Sequence, residues 1–80
     1  MKPIYLKNKP KQGYQSFVKI TQSGTIEVEH DKIQRRDIDE DLTSDANWYQ
    51  SEWSMMLATK QEYDEFYIKT ANYINELNNL

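Results

Sequence analysis

His30 is the only histidine in the chain, and its side chain is the one best suited to acid–base chemistry near neutral pH. Ser16 is expected opposite His30 in a predicted hairpin, and Asp31 follows directly, so a hydroxyl, a base and a carboxylate could meet there. The surrounding sequence offers neither a strained nucleophile turn nor a set of donors for an oxyanion site. There is no cysteine to act as a nucleophile instead. We therefore expect a half-exposed histidine at a strand end, and a protein without catalytic residues.

The acidic run DIDEDLTSD, residues 37–45, raises the question of a calcium site, because its oxygen-bearing side chains follow the ligand spacing of a calcium-binding loop. The match fails at two essential positions. Leu42 stands where the sharp turn requires glycine, and Trp48 stands where a bidentate glutamate is required. Weak divalent binding by dense carboxylates is the alternative. The prediction is a solvated acidic loop, with no metal and no cofactor.

Charge is distributed unevenly along the chain. Residues 1–26 contain five lysines and no acid, whereas residues 27–80 contain all thirteen acids and five basic residues. A dense array of carboxylates can imitate a phosphate backbone and attract a basic groove over long distances. A face that only keeps the chain soluble is the alternative. The predicted surface for a protein partner consists of Asp37, Asp39, Glu40, Asp41, Trp48 and Trp53.

Residues 46–58 are rich in aromatic and methionine side chains, with Tyr49, Met55 and Met56 close to the two tryptophans. Large apolar residues of these types most often belong to a core. They are also enriched at protein interfaces, so a patch that forms a homodimer or receives another protein is the alternative.

The lysines of the N-terminal third suggest a second function, nucleic-acid binding. Basic groups interleaved with aromatic rings on a sheet are a common way to hold single strands. The acidic balance of the whole chain and the lack of a recognition motif argue against it. The residues of this alternative are Lys7, Lys9, Lys11, Tyr14, Phe17 and Lys19.

Residues 14–30 predict a β-hairpin, because β-branched residues are dense on both sides of the turn signal Gln22-Ser23-Gly24. A three-residue loop, with Gly24 in the left-handed region, pairs Ile20 with Ile26 and Val18 with Val28. Lys19 then faces Glu27 on the other side. Phe17 is expected among these charged residues. The predicted buried face consists of Tyr14, Val18, Ile20, Ile26 and Val28.

The C-terminal stretch predicts an amphipathic helix over residues 60–78. Thr59 and Glu62 have the spacing of a capping box, in which each side chain bonds the backbone of the other. An apolar stripe at helical spacing follows and is expected to pack on the branched face of the hairpin. The stripe consists of Tyr63, Phe66, Tyr67, Thr70, Ile74 and Leu77, with Tyr73 on its flank.

The other segments are less regular. Residues 4–6 could form a short edge strand within a mobile or edge segment 1–13, and residues 32–38 a third strand. Helical turns are favoured over 45–52, with Ser44 as a cap, whereas 53–58 fit a helix or a short buried strand. The prediction is one α+β domain, a small antiparallel sheet of about three strands covered on one face by the C-terminal helix.

A short β-meander, a tryptophan-containing stretch and an Ala-Thr-x-x-Glu-aromatic start to the last helix (ATKQEY, residues 58–63) follow one another in this order. The arrangement resembles small uncharacterised proteins of bacteria and their phages. The resemblance implies an accessory protein and no particular activity. With no apolar run of bilayer length, we expect a soluble, cytoplasmic protein-interaction module, in its sharpest form an inhibitor that presents carboxylates to a basic host site.

Overall fold

The computed structural model describes residues 2–9, 13–38 and 41–80. These residues form one antiparallel sheet of five strands and two helices. The strands lie across the sheet in the order β4-β3-β2-β1-β5. The predicted α+β class is confirmed, but the sheet has five strands rather than about three. In chain order the elements are β1 (Ile4–Lys7), β2 (Phe17–Thr21), β3 (Gly24–Val28), β4 (Ile33–Arg36), α1 (Leu42–Glu52), β5 (Met56–Leu57) and α2 (Lys60–Asn78).

β2 and β3 form the predicted hairpin, but the predicted register is wrong. Val18 pairs with Glu27, and Thr21 pairs with Gly24, so the loop is the two-residue turn at residues 22–23. The Thr21 hydroxyl accepts a hydrogen bond from the Ser23 N–H and donates one to the Gly24 carbonyl, which fastens this shorter turn. Because side chains alternate between the two faces of a strand, a shift of one residue turns every side chain of β3 over.

The corrected register puts apolar side chains on both faces of the sheet. Val18 and Ile20 face α1, whereas Val28 and Ile26 face α2. The single buried face predicted for the hairpin is therefore wrong. The core under α1 consists of Leu6, Val18, Ile20, Leu42, Ala46, Tyr49 and Met55. The core under α2 consists of Phe17, Val28 and Tyr63, with Tyr5, Ile26, Ile33, Ala58, Phe66 and Tyr67 packed around them.

The burial of two aromatic residues is the reverse of the prediction. Phe17, expected among charges, is buried under α2, with its ring centroid 5.1 Å from that of Phe66. Tyr14, expected in the core, is 70% exposed. Phe17 is buried because α2 covers its face of the sheet, whereas Tyr14 lies before β2 and stacks on the exposed His30.

α2 has the predicted bounds and the predicted cap. The Thr59 hydroxyl accepts from the Glu62 N–H at 3.1 Å, and the Glu62 carboxylate accepts from the Thr59 N–H at 3.0 Å. Tyr63 and Thr70 are buried, and the Thr70 hydroxyl donates to the Glu29 carbonyl at 2.8 Å. The stripe is covered unevenly, because Leu77 near the end of the helix remains exposed.

α1 begins at Leu42, earlier than predicted, because Asp41 rather than Ser44 is its cap. The Asp41 carboxylate accepts from the Ser44 N–H at 2.8 Å. After Glu52 the chain reverses through Ser54, which has a positive φ of 52°, and β5 then pairs with β1. β1 therefore forms where predicted but is not the edge of the sheet. In the described parts of the chain, no helix is long and apolar enough to cross a membrane.

Candidate functional site

The candidate site is a pocket on the face of the sheet that carries α1. This helix has 11 residues and packs on β1 and β2. A helix about 10 Å wide covers about two strands that lie roughly 4.8 Å apart, so β3 and β4 extend beyond its flank. The gap between them and α1 is a pocket of about 340 Å³. This Trp–carboxylate pocket is lined by Thr25, Glu27, Arg36, Asp37, Ser44, Asp45, Trp48, Tyr49 and Trp53.

Glu27 forms the polar floor of the pocket and is only 8% exposed. The Tyr49 hydroxyl donates to Glu27 Oε2 at 2.5 Å, and Arg36 Nε lies 3.3 Å from the same oxygen. A buried carboxylate requires such partners, because removing its charge from water without compensation is costly. The two contacts therefore fix the position of the carboxylate beneath the open side of the pocket.

Tyr49 acts at this site as a neutral hydrogen-bond donor. Burial first, and then the hydrogen bond to Glu27, raise the pKa of Tyr49 to about 12, against the smaller opposing effects of Thr25 and Arg36. A phenol with so high a pKa keeps its proton at neutral pH. Its role here is to orient Glu27 and not to accept protons.

Two tryptophans form the apolar wall of the pocket. Trp48 is 50% exposed and Trp53 is 42% exposed, and their ring centroids lie 6.0 Å apart. Tyr49 joins them into one aromatic cluster, since its ring lies 5.0 Å from that of Trp48 and 5.4 Å from that of Trp53. The rings pack on one another, and the exposed parts of both tryptophans remain available for contact.

The electrostatics of the pocket favour a cation. Among the residues that the structure describes, three carboxylates line it, from Glu27, Asp37 and Asp45, together with the guanidinium of Arg36, and their formal charges sum to −2. No group of three or more residues with metal-binding side chains is positioned to hold a metal ion within residues 2–9, 13–38 and 41–80. Aromatic walls combined with negative charge are suited to an organic cation, which gains from both features.

The structure brings together half of the predicted partner-binding residues. Asp37, Trp48 and Trp53 line the pocket. Asp41 instead caps α1, and its hydrogen bonds to Ser44 hold the pKa of the carboxyl below its usual value. The predicted contributions of Asp39 and Glu40 lie outside the described residues.

The predicted partner surface did not include Glu27 or Arg36, and Tyr49 was named only as a member of the aromatic and methionine patch. The available signal was the alternation along β3 and β4. With the observed pairing of Thr25 with Arg36 and of Glu27 with Gln34, these four polar residues fall on the face that α1 leaves open, whereas Arg35 lies on the other face. With the predicted register, Glu27 was expected opposite Lys19 on a solvent face, which concealed the pattern.

The residues of the nucleic-acid alternative do not gather on one open surface. Lys7 pairs with Glu62 of α2, and Lys19 Nζ lies 5.9 Å from the ring centroids of Tyr5 and Tyr63. Phe17 is buried, so a base could stack on it only if α2 moved away. Lys9 and Tyr14 are exposed, and Lys11 lies outside the described residues. Nucleic-acid binding stays a prediction with less geometric support than the pocket.

His30 lies far from the arrangement expected for a nucleophile and its base. The predicted pairing with Ser16 depended on the wrong hairpin register. The Tyr14 ring instead stacks on the imidazole with centroids 3.7 Å apart, and His30 Nε2 lies 3.5 Å from Asp31 Oδ2. The histidine is exposed at the end of the hairpin, as its sequence position suggested.

Comparisons of the chain with protein-family models, with curated proteins and with solved structures found no match.

Proposed function

We propose that this protein is a non-enzymatic interaction module that binds a protein partner with the face around the Trp–carboxylate pocket. The observation that carries the proposal is the meeting of Trp48 and Trp53, each about half exposed, with the carboxylates of the same pocket. In this view the protein is an accessory factor of a bacterium or phage, and the acidic face meets a basic site on a host protein.

The chemistry of the wall supports a protein partner. Tryptophan is enriched among the residues that contribute most to binding at protein interfaces, because a rigid indole offers a large apolar area. The carboxylates at the pocket add long-range attraction for a basic partner, which increases the association rate. The two features act on the same surface here, so a single docking event would use both.

The floor of the pocket supports a binding role over a catalytic one. Glu27 is held by Tyr49 and Arg36, and Tyr49 remains protonated at neutral pH. A general base needs access to the proton it removes, whereas Oε2 of this carboxylate already accepts a hydrogen bond from Tyr49 and forms an ion pair with Arg36.

Affinity capture with quantitative mass spectrometry tests the proposal, using a variant in which Asp37→Lys is combined with Trp48→Ala. The matched control combines Glu65→Lys with Ile68→Ala on the exposed side of α2, because it makes the same change of charge and a similar loss of apolar surface. We expect a protein that is retained by the wild type and the control and lost by the pocket variant. Partners that all three proteins retain equally would contradict the proposal.

The nucleic-acid alternative has a separate signature. Binding of single-stranded DNA at low salt, weakening steeply as salt increases and lost when Lys7, Lys9 and Lys11 become glutamine, would favour that alternative. We expect no such binding, since Lys7 is paired and Phe17 is buried.

A further inference from the structure

We infer that the Trp–carboxylate pocket is a receptor for the guanidinium group of an arginine on the partner protein. Arg36 is its internal placeholder, which means that the Arg36 guanidinium pairs with Glu27 until the arginine of the partner binds. The inference rests on the proposed function, because it names the chemistry by which the same face would recognise its partner. Three features of the pocket carry it: the floor carboxylate, the indole wall and the negative net formal charge.

The floor of the pocket already holds a guanidinium. Arg36 Nε lies 3.3 Å from Glu27 Oε2, while 53% of the Arg36 side chain is exposed. Water reaches the Arg36 side of this pair whereas Glu27 is buried, so an incoming guanidinium can approach the carboxylate and, by taking the place of Arg36, keep its buried charge compensated. Glu27 itself is held in place by Tyr49, so its carboxylate keeps its position when Arg36 moves.

The indole wall favours arginine over lysine. A guanidinium is planar and weakly hydrated and can stack on an aromatic face, whereas an ammonium is compact and strongly hydrated. A cation within about 6 Å of an indole centroid is attracted by the ring. Trp48 and Trp53 lie 6.0 Å apart by their centroids, so one planar cation can contact both.

The net charge of the pocket favours a second cation. Arg36 pairs with Glu27, Asp37 lines the same pocket, and the formal charges of the described lining residues sum to −2. The pocket of about 340 Å³ exceeds the space that one side chain needs, so an incoming arginine can reach Asp37 beside Arg36 or replace it at Glu27.

The test is an NMR titration that follows the indole N–H signals of Trp48 and Trp53. The probes are three capped tripeptides, glycine–X–glycine, in which X is arginine, lysine or citrulline. Citrulline has nearly the shape of arginine without the charge. We expect saturable shifts of both signals with the arginine peptide, a response several-fold weaker with the lysine peptide and none with the citrulline peptide. Equal shifts with the arginine and citrulline peptides, or none with arginine, would overturn the inference.

Two matched variants test the placeholder role. Arg36→Ala removes the internal guanidinium, and Arg35→Ala removes the same charge from the opposite face of β4, where Arg35 pairs with Ile26. We expect Arg36→Ala to bind the arginine peptide about two- to fivefold more tightly than Arg35→Ala does, as loss of a half-exposed competing ion pair allows. Equal or weaker binding by Arg36→Ala would overturn the role.

A third variant, Asp37→Asn, lies just outside β4, so its effect on arginine binding does not depend on a change in the pairing of that strand. The Asp37 side chain is exposed, so the substitution should leave the fold intact, and we expect it to weaken arginine binding. Unchanged binding in Asp37→Asn, confirmed as folded by its amide spectrum, would contradict the inferred cation site.

The inference and the proposed function can fail separately. If capture of a partner depends on Trp48 while the arginine peptide moves neither indole signal, the guanidinium receptor is overturned and the interaction role stands. If the arginine peptide binds but every captured partner survives Trp48→Ala, the interaction role falls, and the inferred partner arginine falls with it.

Discussion

Glu27 is the single residue on which the candidate site depends most. Its side chain lies on the pocket floor because β3 pairs with β2 through a two-residue turn, and a loop one residue longer would have turned it to the opposite face. The hydrogen bond from Tyr49 and the ion pair with Arg36 then compensate the burial of its charge. The position of this one side chain therefore links the hairpin turn to the chemistry of the pocket.

The raised pKa of Tyr49 predicts that the folded protein loses stability at alkaline pH. Its pKa is raised from 10.0 to about 12 in the folded protein, so its contribution is present below pH 10 and is lost as the pH increases through about 12. In Tyr49→Phe this contribution is absent. We expect the free energy of unfolding of Tyr49→Phe, measured with urea at about pH 8 and about pH 11, to fall less than that of the wild type. An equal fall in both would contradict the account, and exposed Tyr73→Phe is the control.

The close contact at Gly24 predicts that adding one methyl group there lowers the free energy of unfolding strongly. A Cβ at this position would lie 2.5 Å from the Arg36 carbonyl oxygen, and the backbone has a φ of +143°. We expect Gly24→Ala to lower the free energy of unfolding by roughly 2 kcal/mol or more. Gly13→Ala is the control, because Gly13 has a φ of +117° but no neighbour within 4 Å of a Cβ, so strain acts there without a clash. Equal losses in the two variants would contradict the close contact between β3 and β4.

At the scale of elements, the two helices differ in how far the sequence determines them. The bounds and cap of α2 could be predicted because both signals are local: the capping box and a long apolar stripe. α1 was only partly predicted, since its cap at Asp41 stands in a run of acids that offers several equivalent candidates. Residues 53–58 fitted a helix or a short buried strand, and the choice could not be made locally because β5 forms by pairing with distant β1 and its two residues are exposed.

The capping box of α2 can be tested by a conservative pair of substitutions. Thr59→Ala removes the hydroxyl that accepts from the Glu62 N–H, and we expect it to lower the free energy of unfolding by about 1 kcal/mol. Thr59→Ser keeps the hydroxyl and should stay close to the wild type in the same urea titration. A Thr59→Ala variant as stable as Thr59→Ser would show that the cap contributes nothing.

The charged cap of α1 predicts that the stability of the protein decreases at acid pH. Hydrogen bonds from the Ser44 backbone and side chain lower the pKa of Asp41 below 3.8, so the stability they contribute is present above that pH and is lost as the pH falls through the folded pKa. Asn is an equally good cap without a charge. We expect the thermal midpoint of Asp41→Asn to fall less than that of the wild type between about pH 7 and about pH 3. Equal falls in circular dichroism melts would contradict this role.

At the scale of the whole molecule, one sheet separates two cores. The fold class could be predicted because a β-branched hairpin and an amphipathic helix must cover one another. The second covered face could not be predicted, because it requires both the register of the hairpin and the position of α1. The candidate site was likewise predicted only in part. Its tryptophans and Asp37 could be recognised by residue type, whereas placing Glu27 and Arg36 in the pocket required the strand register.

The shared sheet predicts that the two cores unfold together. Val18 and Val28 are both fully buried, but Val18 lies under α1 and Val28 under α2. We expect Val18→Ala and Val28→Ala each to cost roughly 1.5–3 kcal/mol, and in each variant tryptophan fluorescence and far-ultraviolet circular dichroism to follow one transition. Fluorescence reports on α1, which carries Trp48, and circular dichroism largely on the longer α2. Separate transitions would mean that the faces are not one cooperative unit.

The most direct test of the two-faced sheet, from which the pocket and its proposed partner follow, is a methyl-to-aromatic nuclear Overhauser measurement on selectively labelled protein. The Val18 methyl groups should give contacts to the Tyr49 ring, and the Val28 methyl groups should give contacts to the Tyr63 ring. Contacts from both valines to the Tyr49 ring would place them on one face. Glu27, the neighbour of Val28 in β3, would then point toward α2 and away from Trp48 and Trp53, and the pocket would not exist.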